Sequence, residues 1–296
     1  MSSHELFAKL VALGASGSAY ANYVLGRAQV GANCGFIAPL QLVPKLNYRE
    51  GYTRLLRAAH GGEPGAWYEL YRACANYRSV LANQSAALFF LEQAAERGVL
   101  LAKTRLGLFT LLHAGELEAV VSGQRWLHEA AMGGDSSAYA VLTTFLVPEE
   151  SSCEAEERFM GLIAGTNDPE LSLVLRVARA FRLTRNEAAR VPAFRATRRS
   201  LVIKPSRPNS SEFALPATTD DALELLVELR QISSDFSVGR SFERRRGAAL
   251  QRALDAAGIP EEVFFVPRGV DLRPYRSLES WKRANAAFLK SILNRP

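Results

Sequence analysis

Apolar positions recur through residues 50–145 with the spacing of helices, and the helices return at a fixed interval. The stretch "AAHGG" starting at Ala58 comes back as "AAERG" at Ala94 and "AAMGG" at Ala130, thirty-six residues apart each time. Ala66, Ala102 and Ala138 share one column, Leu70, Leu106 and Leu142 another, and Leu55, Leu91 and Leu127 precede the alanine pairs by three. Registers held at such a period predict one supersecondary unit repeated. Each unit reads as two helices. The first carries a small residue and an apolar one four later, on one face. The second ends in two alanines and a glycine, which accepts positive φ and so stops a helix. Each pair leaves one face bare until the next pair stacks on it.

After about Asn186 the pattern changes. Residues 186–210 mix prolines, serines and arginines around one apolar run, "SLVIK" at Ser200, and read as a basic linker holding a short strand. Beyond it the pattern predicts a helix over 218–232, a strand at "DFSVG" (235–239), a helix over 244–258, a strand at "EVFFV" (262–266) and a helix over 277–293. Strands alternating with helices predict a small α/β sandwich. The expected organisation is an α-helical solenoid over 1–185, the linker 186–210, and the α/β domain 211–296.

Two resemblances follow from these residues. A small residue, three positions, Leu-Gly, then an aromatic or aliphatic residue and AA-x-x-G resembles the Sel1-like repeat, a tetratricopeptide-related helix pair. The clearest copy is "AKTRLGLFTLLHAGELEAVVSGQRWLHEAAMGG"; Ala21 and Leu25-Gly26 fit an earlier one, and "FMGLIAGTNDPELSLVLRVARAF" a later one. That resemblance covers roughly 5–185 and implies protein–protein contact. In the last third, Arg246, Leu254, Gly258-Ile259 and Arg273-Pro274 fall at the offsets of the OmpA-like domain, a peptidoglycan-binding module of bacterial envelopes. That family grips a zwitterionic diaminopimelate with an aspartate and an arginine, an anion for the ammonium and a guanidinium fork for the carboxylate. The resemblance gives Arg246 the arginine position. The preceding "VGRSFERRRG" puts Arg240 where a neutral residue or histidine stands and has no following aspartate, and "NAA" from Asn285 replaces the family's Asn-Arg-Arg. Half the clamp is absent unless Asp235 or Glu243 supplies the acid.

Charge sharpens the picture. Residues 1–184 hold 16 Lys+Arg against 17 Asp+Glu, and residues 185–296 hold 20 against 13, so the basicity lies in the last third. The cluster Arg240, Arg245, Arg246 and Arg273 is the candidate binding set there, for wall material or a subunit. A nucleic-acid partner ranks lower, because no aromatic-interleaved reading motif accompanies the arginines. In the repeats, Trp67, Tyr68 and Tyr71 form an aromatic cluster: repeat core, or the anchors of a peptide-binding groove.

Other chemistry is sparse. The histidines, His4, His60, His113 and His128, lie in the first half and make no Ser-His-Asp or Cys-His grouping; no phosphate loop is present. Glu150, Glu154, Glu156 and Glu157 read as a solvated helix start. Cys34, Cys74 and Cys153 are odd in number and lack CxxC spacing, as small buried hydrophobes would. No metal, cofactor or catalytic residue is expected. No apolar run approaches the roughly 18 residues of a membrane span, and the N-terminus lacks a basic leader region. The expected setting is the cytoplasm if Met1 is the native start, or the periplasm if a leader has been removed. The insertion "GANCGFIAPLQLVPKLN" (31–47) reads as a cap over the first helix pair or a docking arm. Together these features predict a non-enzymatic scaffold, a subunit of a bacterial envelope machine such as a secretion or conjugation apparatus. A peptidoglycan-binding adaptor comes second, and a nucleic-acid-associated factor third.

Overall fold

The thirty-six-residue period is a helix pair in a computed structural model, which describes residues 3–32, 42–43, 45–76, 80–148, 153–191, 194–203, 212–232, 240–261, 264–267 and 269–293. Contacts divide the chain into a first unit, Met1–Leu106, and a second, Gly107–Pro296. The first unit holds α1 (Ser3–Ala15), α2 (Ala19–Gln29), α3 (Tyr48–His60), α4 (Pro64–Ala75) and α5 (Gln84–Glu96), with α3 packed on both α2 and α4, and α4 on α5. The division falls inside α6 (Leu100–His113). The second unit continues the pairs with α7 (Leu117–Met132), α8 (Ser136–Thr143), α9 (Cys153–Gly165) and α10 (Pro169–Ala180).

The repeated glycine ends each second helix in the same way. Gly62, Gly98 and Gly134 have φ of +94°, +87° and +96°. The next amide donates back to the carbonyl of the first alanine: Glu63 to Ala58 (3.0 Å), Val99 to Ala94 (3.1 Å) and Asp135 to Ala130 (3.0 Å). This six-to-one bond is a Schellman closure, and it explains why glycine holds the column. The Leu-Gly step has a different cause. A Cβ on Gly107 would meet the Gly123 oxygen at 2.9 Å, and one on Gly123 would meet Leu111 Cγ at 2.7 Å, so α6 and α7 cross backbone to backbone. Gly26 and Gly51 make the same reciprocal contact between α2 and α3. In the insertion, Leu42 and Val43 are buried with Ala28 beside Leu6, Phe7 and Leu10, as a cap over the first pair requires; residues 33–41 lie outside the described set.

The last third departs from its expectation. Residues 186–203 do not read as a linker: Ala188, Ala189, Val191, Phe194 and Leu201–Ile203 are buried in one core with residues of α7, α8 and α10. The sheet is β1 (Arg195–Ala196), β2 (Ser200–Ile203) and β3 (Phe213–Pro216), consecutive and antiparallel, with Leu201 opposite Leu215. Only β2 was legible beforehand. Every residue of β2 and β3 is buried because α7 packs on β3, which is why these strands read as continuous apolar runs rather than alternating ones. The expected strand at 262–266 is not formed over its described part. Phe264, Phe265 and Val266 are buried, but the Val266 amide donates to the Leu183 carbonyl (3.0 Å) in irregular backbone. The expected strand at 235–239 lies outside the described residues.

The helices of this third are α11 (Arg185–Ala188), α12 (Asp220–Ile232), α13 (Arg240–Ala257), α14 (Arg273–Arg276), α15 (Leu278–Ala284) and α16 (Ala286–Leu293). The last two were expected as one. Asn285 separates them, its side chain bonded back to the Trp281 carbonyl at 3.0 Å. Trp281 itself is fully buried, stacked on Phe145 at 4.2 Å, and its indole N–H donates to Thr144 Oγ1 at 3.0 Å. The last third is therefore built onto the repeats of its own unit. It covers the face that the last pair would otherwise leave bare.

Candidate functional site

In the first unit the first helices of successive pairs share more than their packing columns. Ala21, Ala66 and Ala102 are the buried small residues of α2, α4 and α6. Two positions on stand Tyr23 and Tyr68, and six on stand Arg27 and Arg72, giving the same Tyr-x-x-x-Arg pair on α2 and α4. Members of such a pair lie one helical turn apart on one face. The Arg27 guanidinium sits over the Tyr23 ring at 5.3 Å and pairs with Glu69 at 3.1 Å. Arg72 reaches the same carboxylate at 3.5 Å. From α6, Arg105 lies 5.8 Å from the Tyr68 and Tyr71 rings and donates to the Tyr71 hydroxyl at 3.5 Å. A ridge of tyrosines and arginines thus crosses three first helices, around one buried carboxylate.

The three aromatic residues expected to act together separate here. Tyr68 and Tyr71 pair at 5.6 Å on the ridge. Trp67 faces elsewhere, against His60 at 5.3 Å and Phe90 at 6.0 Å, with Arg97 over its ring at 4.8 Å. Helical geometry requires the split, since neighbours in sequence point about 100° apart. Trp67 is therefore repeat core. Burial raises the hydroxyl pKa of both Tyr23 and Tyr68, so both are donors at neutral pH.

The arginine cluster of the last third is not gathered either. Arg246 is bonded to Glu170 of α10, and its side chain is only 9% exposed. Arg245 is exposed on α13; the side chains of Arg240 and Glu243, and all of Asp235, lie outside the described residues. Arg273 forks onto Asp271 at 2.9 Å, and both line a cleft of about 1300 Å³ with Ile203, Phe213, Leu117 and Arg276. The exposed Asp271 carboxyl is held below its ordinary pKa by the hydrogen bonds from Arg273.

Comparison with known proteins adds little to this geometry. No protein-family model matches the chain, and no curated protein does. A crystal structure of a Sel1 repeat protein from Oxalobacter formigenes is similar at 26% identity over 45% of this chain and 92% of that one, with a TM-score of 0.37. A protective antigen of uropathogenic Escherichia coli displaying an SLR fold is similar at 14% identity over 90% of this chain and 52% of that one, also with a TM-score of 0.37.

Among the described residues no group of three or more His, Cys, Asp or Glu side chains could hold a metal ion. No described helix is long and apolar enough to cross a membrane. Cys74 is a free, buried thiol whose pKa burial raises; Cys34 and the Cys153 side chain lie outside the described residues. The ridge residues Tyr23, Arg27, Arg72 and Arg105 were missed from the sequence. The signal for the first three was present, because two and six positions past the alanine column Tyr23 aligns with Tyr68 and Arg27 with Arg72; Arg105 stands three past Ala102, off both columns, and had none.

Proposed function

We propose that the chain is a non-enzymatic scaffold whose helical repeats hold a protein partner. The observation that carries this reading is the repeated Tyr-x-x-x-Arg pair. Stacking needs the alanine, leucine and glycine columns; the tyrosines and arginines recur beside them, with both arginines gathered at Glu69 and partly open to solvent. Tyrosine and arginine are also the residues most enriched at interface hot spots. Exposed apolar side chains accompany the ridge on the same helices, Tyr20 at 66% and Leu101 at 50% exposure. We further place the protein in a bacterial cell-envelope assembly such as a secretion or conjugation apparatus, a reading supported by the OmpA-like spacing of Arg246, Leu254, Gly258-Ile259 and Arg273-Pro274. A photo-crosslinking residue at Tyr20 or Leu101, with Val227 of α12 as the control position, tests the scaffold in cells. A discrete protein adduct at the first two positions supports it, and adducts at none of them overturn it.

A second reading, peptidoglycan binding, is favoured by the cleft, where Asp271 and Arg273 place an anion beside a guanidinium fork. Sedimentation of the full chain with insoluble peptidoglycan, beside Arg273→Ala, decides it. Saturable binding lost in the variant supports the wall ligand; binding indifferent to Arg273 or abolished by moderate salt removes it.

A further inference from the structure

The charge of the first unit points to the chemistry of what it holds. Residues 1–106 carry 11 Lys+Arg against 6 Asp+Glu, so the unit's own carboxylates cannot neutralise its cations. The imbalance is visible on the ridge, where Arg27 and Arg72 share the single carboxylate of Glu69. Glu69 is buried, with its side chain 6% exposed, whereas Arg27 and Arg72 keep 24% and 34% of theirs in solvent. Both side chains thus keep part of their surface in solvent beside the buried carboxylate. Arg105 brings a third guanidinium against the same tyrosines. Tyr68, more than nine-tenths buried between these groups, has a hydroxyl with no hydrogen-bond partner among the described residues. A buried hydroxyl without a partner is costly in a finished core and marks a site whose polar complement is incomplete.

We infer that the ridge formed by Tyr23, Arg27, Tyr68, Arg72 and Arg105 takes an acidic segment of the partner protein, its carboxylates bound by the guanidinium forks and its backbone or apolar side chains lying against the half-buried Tyr23. This rests on the scaffold reading and gives it a partner chemistry. Planar guanidiniums match carboxylates bidentately, and tyrosine faces supply apolar area at low entropic cost. Two features favour carboxylates over the phosphates of a nucleic acid. The ridge cations are partly buried, Arg27 and Arg72 at Glu69 and Arg105 against the tyrosines, which suits separated single charges better than a continuous polyanion. The aromatic partners Tyr68 and Tyr71 are packed against each other at 5.6 Å, which leaves no gap for a base to stack between them.

Fluorescence anisotropy with the full chain tests this, using a labelled oligo-glutamate peptide, its oligo-glutamine counterpart and a single-stranded oligonucleotide. The expected result is that oligo-glutamate binds about tenfold tighter than oligo-glutamine, and that the difference shrinks with salt. Arg72→Gln and Arg105→Gln should each weaken oligo-glutamate binding by about tenfold. Glu69→Gln, which removes the internal competitor, should tighten it. Circular dichroism melts accompany each variant, and Arg105→Gln carries the test should Arg72→Gln fail to fold. Equal affinity for the two peptides, or affinity indifferent to both arginines, overturns the inference. So does an oligonucleotide that binds more tightly through the same arginines. Crosslinked adducts at Leu101 without an oligo-glutamate preference would remove the acidic partner and leave the scaffold standing. Peptide binding without adducts in cells would do the reverse.

Discussion

The two units are built from the same helix pair and handle their charge in opposite ways. The second unit contains two blocks of opposite sign. Residues 107–184 hold 5 Lys+Arg against 11 Asp+Glu, and residues 185–296 hold 20 against 13. The blocks meet in Arg199–Glu129 at 3.2 Å, Arg176–Glu228 at 2.8 Å and the Arg246–Glu170 pair. In the basic last third, which by sequence looked like a surface for an external anion, Arg199 and Arg246 are matched by the acidic repeats, and Arg185, Arg273 and Arg276 by acids of the last third itself. The first unit has no such block, and on its ridge two arginines share the one carboxylate of Glu69. The lesson is that net charge locates a binding surface only after the intramolecular pairs are known.

Removing what seats the last third on the repeats should have the largest effect. Trp281→Ala takes away the stack on Phe145 and leaves the Thr144 hydroxyl without its donor, and should cost about 3–5 kcal/mol. In hydrogen exchange, protection should fall in α8, β2 and β3. Gly123→Val should cost about 3 kcal/mol in a denaturant melt, because its Cβ has only 2.7 Å to Leu111 Cγ and 3.0 Å to the Gly107 oxygen. The Arg246–Glu170 pair is half open on its acidic side, so Glu170→Gln should cost only about 1 kcal/mol by the same measurement. A larger loss would mean that the pair contributes more to seating the third than its exposure suggests.

Acid should also separate the units. His128 of α7 is buried, its Nδ1 has no partner among the described residues, and Arg199 stands near it, while Asp220 and Glu129 oppose that effect. Burial first, and Arg199 second, lower its pKa below the ordinary value of about 6.5. A histidine whose folded pKa is depressed favours the native state fully above its unfolded pKa. That contribution is lost as pH falls through the unfolded value toward the folded one. Melts at falling pH should therefore show the second unit weakening below about pH 6.5, and His128→Gln should flatten that part of the profile. The smallest effect belongs to the ridge. Tyr68→Phe removes a hydroxyl with no partner among the described residues and should change thermal stability by less than about 1 kcal/mol, in the stabilising direction.

The helix pairs were legible because their cause is local and repeated. Gly134 must accept positive φ, Ala130 must admit a neighbour, and the same need returns every thirty-six residues. The last third was less legible because its elements are defined by what covers them. "FALP" carries no alternation, since both of its faces are buried, and nothing local distinguishes it from loop. "EVFFV" has strand composition, yet its described residues are held by Leu183 rather than by a ladder. Of the three aromatic residues grouped from sequence, the fold brings Tyr68 and Tyr71 together and turns Trp67 toward His60 and Phe90. It also offered Arg246 as a ligand for an outside anion, where the fold places Glu170 against it.

What the sequence determined by itself was the repeat: its period, its helix ends and the columns that stack, all properties of residues within a few turns of one another. Only the tertiary structure decided which arginines are matched inside the molecule. Pairing depends on which charges the fold brings within a few ångströms, and Arg246 lies 76 residues from the glutamate that holds it. Arg27 and Arg72 stand on different helices around one glutamate, and no local pattern announces that they share it.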